Sequence, residues 1–246
     1  MNEEGWDSVV AIVDREWVLR VARPNRFAAL SFPEEAELTR ALEPRLPLPI
    51  PVILRCTEEW ALTRYIRGKP FSGRRGGAQL ATFLRALHAS HADLPDHDKE
   101  YDRVRWVRHV LPRLEGDERR HAESLLDEHL GAGHPLVVGH TDVLAPHVLV
   151  RCRTISGVID WSDARRADPA IDLAWPLYGT PRRFADEFAA AYGVDAVTRR
   201  RAEVFWALEP WHEVVHADEP MELAAALRHV RERLPGAAGK PDTMAP

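Results

Sequence analysis

The sequence predicts an α+β fold in two lobes, a small β-rich lobe followed by a larger, mainly helical one. Three observations predict it. Up to residue 66, short β-branched and aromatic runs surround a single helical segment. From residue 77, apolar residues recur at helical spacing. Within that helical part, "VVGHTDVLAPHVLV" (137–150) and "ISGVIDW" (155–161) return to β character and carry a His, an Asp and a second His among Val and Leu.

The elements follow in order. "DSVVAIVD" and "REWVLRVA" are strands joined by a short hairpin at Asp14-Arg15. "SFPEEAELTRALEPRL" is a helix. Ser31 is its N-cap, Glu34 and Glu35 sit in the first turn where the helix dipole favours them, and Leu38, Leu42 and Leu46 form the apolar stripe. "PLPIPVIL" breaks the helix with three prolines and runs into a strand, and "EWALTRYI" is the next strand. "RGKPFSGRRGG" is a Gly-rich basic loop. Helices follow in "AQLATFLRALHAS", "YDRVRWVRHVLPRL" and "DERRHAESLLDEHL", then the β runs, then "AIDLAWPLY", "RRFADEFAAAYG", "TRRRAEVFWALEPWHEVVHA" and "PMELAAALRHVRERL". The expected division is an N-terminal lobe over 1–66, a linker over 67–76, a helical lobe over 77–236 and a tail over 237–246. In a two-lobed plan the natural ligand site is the cleft between lobes.

Composition narrows the class of function. Of 246 residues, 45% are apolar and 29% charged, enough for a sizeable core. A net charge of −5 argues against a nucleic-acid-binding stripe. Cys56 and Cys152 stand far apart without metal-ligand spacing and read as free thiols of a reducing, cytoplasmic compartment. No apolar run reaches the roughly 18 residues that a membrane helix needs, and the first residues are not a secretion signal.

Asp142 and Asp160 each lie at the edge of a short apolar β run. Two strands flanking a turn can bring both carboxylates to one mouth. Such hard oxygen donors suit Mg²⁺, above all when a nucleotide phosphate completes its shell, and one of them can instead accept a proton from an attacking hydroxyl. His147, five residues after Asp142, can complete a metal site.

These residues carry a resemblance. "GHTDVLAPHVLV" followed by "SGVIDWSDARRADPAIDLAW" resembles the catalytic segment of the aminoglycoside phosphotransferase and choline kinase superfamily, a branch of the protein-kinase fold. Its pattern H-G-D-x-x-x-x-N, then I-D-W/F, then D-P-x-x-D-L-A, maps onto His140, Thr141, Asp142 and His147, then Ile159-Asp160-Trp161, then Asp168-Pro169 and Asp172-Leu173-Ala174. His in place of Asn at 147, together with "SGVIDWSDARRADPAIDLAW" and "EWVLRVAR", is similar to the macrolide 2′-phosphotransferase branch. Thr141 departs from the usual Gly.

The resemblance implies a bilobal protein-kinase-like fold with a truncated first strand in the N-lobe. It implies Asp142 as catalytic base, and His147 and Asp160 as ligands of Mg²⁺ held against nucleotide phosphates. Arg20 occupies the place of the kinase strand lysine, and a guanidinium can still bind phosphate through paired N–H donors. Glu35 matches its helix partner, with Glu34 the other candidate. No G-x-G-x-x-G occurs, and only Gly5 precedes "WDSVV"; Ser8 and backbone N–H groups of "GWDS" are the candidates for meeting phosphate. The base is expected along Thr63, Arg64, Tyr65 and Ile66.

Other polar residues have structural readings beside functional ones. His140 supports the catalytic loop, Asp168 and Asp172 read as loop and helix-cap acids, and Trp161 packs. Ser162 and Asp163 form a turn or touch the acceptor. Trp211, His212, Glu213, His216, Asp218 and Glu219 can form an acidic, aromatic wall for an amino-sugar antibiotic. The expected activity is transfer of the γ-phosphate of GTP or ATP to a hydroxyl of a small molecule, macrolide-type first. An aminoglycoside or other metabolite kinase is the second reading and a nucleotide-binding pseudokinase scaffold the third. The expected partners are a nucleotide and a small-molecule acceptor, without nucleic acid or membrane, in a monomer or weak dimer.

Overall fold

The computed structural model describes residues 7–24, 26, 28–217 and 219–234; Gly5, Asp218 and the tail 237–246 lie outside the described residues. Two compact units emerge, Met1–His97 with Pro135–Asp195, and Asp98–His134 with Ala196–Pro246.

The first unit begins with an antiparallel hairpin of β1 (Ser8–Val13) and β2 (Trp17–Ala22). Its turn places Asp14 and Arg15 at φ 52° and 53°, the left-handed pair that a tight hairpin requires. With β3 (Ile53–Cys56) and β4 (Trp60–Arg64) it forms a four-stranded sheet in the order β1-β2-β4-β3. Helix α1 (Phe32–Leu42) packs on this sheet through Phe32 and Ala36, against Ile53 and Ala61. Its start is set by sequence chemistry. Glu34 N–H donates to Ser31 Oγ at 3.4 Å while Ser31 N–H donates to Glu34 Oε2 at 2.7 Å, a reciprocal cap worth about 1 kcal/mol.

Helix α2 (Gly77–His88) leads away from a two-residue strand, β5 (Lys69–Pro70), that sequence reading leaves in a loop. β5 pairs with β7 (Val148–Arg151), and β7 pairs with β8 (Thr154–Val158) around a tight turn with Cys152 and Arg153 at φ 50° and 68°. A further short pair joins β6 (Val137–Gly139) to β9 (Arg165–Ala167). Helices α5 (Pro169–Tyr178) and α6 (Arg182–Tyr192) complete the unit. α2 and α6 meet backbone to backbone at Gly77, where a Cβ would lie 2.4 Å from Phe184 O. Any side chain there would force the helices apart.

In the second unit α3 (Lys99–Arg105) continues through one π-type turn, Trp106–Val110, into a tight turn containing Pro112. α4 (Gly116–Gly131), α7 (Ala196–Leu208), α8 (Trp211–Val215) and α9 (Pro220–Arg233) pack around Trp106, Leu125, Leu126, Val204 and Val230. The stretch 198–217, which reads as one helix, is two. Pro210 lacks an N–H and disfavours helical backbone before it, so α7 ends and α8 starts beyond it. No helix among the described residues is long and apolar enough to cross a membrane.

Candidate active site

The loop between β6 and β7 carries Thr141, Asp142 and His147, and the chain leaving β8 carries Asp160. The β7–β8 ladder pairs Val148 with Val158, and one step beyond it Ile159 N–H donates to His147 O at 2.9 Å. That register brings His147 and Asp160 side by side. His147 Nδ1 lies 2.8 Å from Asp142 O and 3.1 Å from Asp142 Oδ2, while its Nε2 faces Asp160 Oδ2 at 3.7 Å. One donor atom from each of the three side chains lies within 4.8 Å of the others.

Electrostatics favour positive charge at the centre of this cluster. Burial lowers the affinity of His147 for its proton, but the hydrogen bond and charge of Asp142 and the charge of Asp160 outweigh burial and push its pKa up to about 9. The ring therefore carries the positive charge between two carboxylates. With Nδ1–H committed to Asp142, Nε2 is the atom that can exchange its proton for a metal ion. Two carboxylates and one imidazole nitrogen fit a divalent cation, the oxygens matching Mg²⁺.

The loop is held from behind. Asp172 on α5 is 1% exposed, and its Oδ1 accepts Thr141 N–H at 2.7 Å while Oδ2 accepts His140 N–H at 2.9 Å. His88 Nε2 on α2 approaches the same Oδ2 at 3.0 Å, and His88 Nδ1 lies 2.8 Å from the Tyr192 hydroxyl. These bonds hold Thr141 at φ 60°, an unusual conformation for a β-branched residue, and Thr141 Oγ1 donates to Asp163 O at 2.6 Å. His140 is fully buried. Its Nε2 is 3.1 Å from Ile159 O, which can only accept, so the proton sits on Nε2 and Nδ1 accepts Asp142 N–H at 3.3 Å. Burial keeps its pKa low against the pull of Asp172 and Asp142, so the ring serves as a neutral strut. Asp160 stands at φ 70°, with Oδ1 accepting Ser162 Oγ–H at 3.1 Å. Trp161 is buried beside His140 and Phe83. Asp163 pairs with Arg165 at 3.1 Å; burial, with the charge of Asp142 behind it, raises its pKa to about 6.

Around the sheet, Arg20 Nη2 meets Glu35 Oε1 at 2.5 Å, with the Glu35 side chain fully buried; Glu34 is spent on the helix cap. Burial raises the Glu35 pKa against the pull of Arg20, and the charge of Asp160 adds to the rise. Ser8 starts β1 opposite Ala22. Thr63 is buried in β4 between Val18 and Ile53, and Tyr65 N–H donates to Glu16 O at 2.8 Å. Arg64 lies over the Trp17 ring at 4.8 Å and faces Glu16 at 3.9 Å. Ile66 closes over Gly157, where a Cβ would be 2.8 Å from its Cγ2. In the C-terminal segment Glu213 is bound by His229 at 2.8 Å and Glu209 by Arg233. Sequence reasoning did not anticipate His88, Tyr192 or Arg26. His88 and Tyr192 end amphipathic helices, where a polar residue carries no signal of what it meets across the unit.

Residues 2–205 match the APH family profile, described as a phosphotransferase enzyme family. Among curated proteins no relative matches the chain. Among solved structures the chain is similar to APH(2")-IIia in complex with GDP and kanamycin, at 19% identity and a TM-score of 0.82, over 94% of this chain and 91% of that one. It is similar to the apoenzyme of macrolide 2'-phosphotransferase MphH from Brachybacterium faecium, at 22% identity and a TM-score of 0.72, over 93% and 90%. It is also similar to macrolide 2'-phosphotransferase type I, at 24% identity and a TM-score of 0.73, over 93% and 89%. These likenesses establish the fold as bilobal, kinase-like and α+β.

Proposed function

The chain belongs to the phosphotransferase enzyme family, and on that premise we propose that it moves the γ-phosphoryl group of ATP or GTP to a hydroxyl of a small molecule of macrolide type. The observation that carries this reading is the convergence of Asp142, His147 and Asp160 within 4.8 Å, on a loop braced by buried Asp172. Asp142 is the base. It accepts the proton of the acceptor hydroxyl as that oxygen bonds to phosphorus and the bond to the β-phosphate oxygen breaks, releasing the nucleoside diphosphate. His147 Nε2 and Asp160 would hold Mg²⁺, which when bound supplies positive charge against the nucleotide phosphates. Arg20, steadied by Glu35, offers a further cation to the same phosphates. Positioning and charge neutralisation supply most of the rate enhancement of such a transfer.

The acceptor class rests on His147 and on the "SGVIDWSDARRADPAIDLAW" segment. An aminoglycoside is a polycation and needs unpaired acids, whereas in the proposed acidic wall Glu213 is already bound by His229 and the Glu219 side chain caps the start of α9. The protein is to be incubated with Mg²⁺, ATP or GTP and a panel of macrolides and aminoglycosides, and products read by mass spectrometry. A phosphoryl mass gain on macrolides supports the proposal. Gain on aminoglycosides alone moves the acceptor, and nucleotide binding without any transfer makes the chain a scaffold. Asp142→Asn lowers kcat by about 10²–10⁴-fold and leaves nucleotide binding nearly unchanged.

A further inference from the structure

A second guanidinium stands beside Arg20. Arg26 Nη2 lies 3.9 Å from Glu35 Oε2, on the opposite oxygen from the one that Arg20 holds at 2.5 Å. Both guanidiniums sit over the ring of Phe32, at 5.0 Å for Arg20 and 4.0 Å for Arg26. Each side chain is 13% exposed. The Nε atoms of both, and Glu35 Oε2, are buried without a hydrogen-bond partner among the described residues. One carboxylate thus faces two cations in a desolvated setting. Like charges brought this close are costly unless a second anion joins them.

The position of the surplus charge says where that anion comes from. Arg26 Nη2 donates to Leu30 O at 2.9 Å, and Leu30 N–H donates to Ser162 O at 2.9 Å. Ser162 is the residue whose hydroxyl holds Asp160 Oδ1. Arg26 is therefore tied through one residue to the segment that carries a proposed metal ligand. The charges of Asp160 and Asp7 also reach it, opposing the fall in pKa that burial imposes. Asp160 itself meets Ser162 and His147 and makes no bond to Arg26 among the described residues. A ligand that bridges the Arg pair and a cation held at Asp160 would have to carry several negative charges along its length.

We infer that Arg26 and Arg20 form a two-guanidinium cradle for a polyphosphate chain, so that Arg26 is a second phosphate-binding cation of this site. The inference rests on the phosphotransfer reading for the identity of the polyphosphate as that of a nucleotide. It also accounts for a chain without any G-x-G-x-x-G segment: fork-shaped side-chain donors take over work that backbone N–H groups of a Gly-rich loop do elsewhere.

Calorimetry with inorganic tripolyphosphate, ATP, GTP and adenosine at fixed low salt tests it. The panel is the native chain, Arg26→Gln, Arg26→Lys and Arg182→Gln, the last removing an exposed charge on α6. The expected result is about a tenfold weaker affinity of Arg26→Gln for tripolyphosphate and for both nucleotides, unchanged adenosine binding, and Arg182→Gln within twofold of native. Arg26→Lys, which keeps the charge but not the fork, falls in between. The inference is overturned if the native chain does not bind tripolyphosphate, if Arg26→Gln binds it within twofold of native, or if Arg182→Gln loses as much. Tripolyphosphate binding that depends on Arg26, in a chain that transfers phosphate to no acceptor, supports the cradle while removing the phosphotransfer reading.

Discussion

Replacing Asp172 by Asn changes one atom's chemistry at the back of the loop that carries Asp142, and the structure sets the size of the effect. Both carboxylate oxygens are in use, Oδ1 by Thr141 N–H and Oδ2 by His140 N–H and His88. An amide has one accepting oxygen, so one backbone N–H must face an NH₂ group at under 3 Å and stay unpaired. Leaving a buried donor unsatisfied costs about 1–3 kcal/mol, and the surviving bonds lose the charge that made them strong. The sum is about 2–4 kcal/mol, within the roughly 5–15 kcal/mol that stabilises a domain, so the variant still folds. Urea unfolding followed by the fluorescence of buried Trp161 and Trp175 measures it directly. The same variant has a lower kcat with little change in nucleotide affinity, because the loop carrying Asp142 loses its anchor. A stability loss below about 0.5 kcal/mol would refute the reasoning, since it would mean that the two loop N–H groups do not depend on this carboxylate.

Three further outcomes are expected. Asp160→Ala weakens Mg²⁺-dependent nucleotide binding by at least about tenfold in calorimetry, while metal-free binding changes little. Thr141→Gly is more stable than Thr141→Ala by about 0.5–1 kcal/mol in urea melts, because left-handed backbone costs a Cβ-bearing residue about 1–2 kcal/mol, more than the entropy cost of Gly; Ala matching or exceeding Gly would contradict the strain at φ 60°. Asp163, with its pKa raised to about 6 from 3.8, makes a contribution that is fully present below about pH 4 and lost as pH rises through 6. Asp163→Asn removes that dependence, so native and variant urea midpoints diverge across this window, the native chain losing ground as pH rises.

Much of the fold was legible because its signals are local. The β1–β2 turn, the Ser31 cap with Glu34 behind it, and the short apolar runs of β7 and β8 are each read within a few residues. The spacing of Asp142, His147 and Asp160 was legible for the same reason, as all three flank one hairpin. The three-residue strand β9 escapes because so short and polar a run has no period to detect, whereas the equally short β6 shows through its apolar Val137-Val138. The break at Pro210 was readable, yet strong apolar periodicity on both sides masked it. Arg26 and His88 were beyond reach for another reason. Their roles come from partners 9 and 84 positions away, and an Arg in a loop or a His at a helix end is ordinary until the partner is in place.

The turn at Cys152 and Arg153 lies at one end of the β7–β8 hairpin, and His147 and Asp160 lie just beyond the other. Residues added at that tip would bulge into solvent and leave the distance between His147 and Asp160 untouched. A single residue added between Val148 and Arg151 would slide one strand past the other and carry the imidazole away from the carboxylate. Length variation at this hairpin is thus tolerable at its apex and ruinous at its base, which makes the apex a place for attaching a label or a tether without disturbing what happens at the other end.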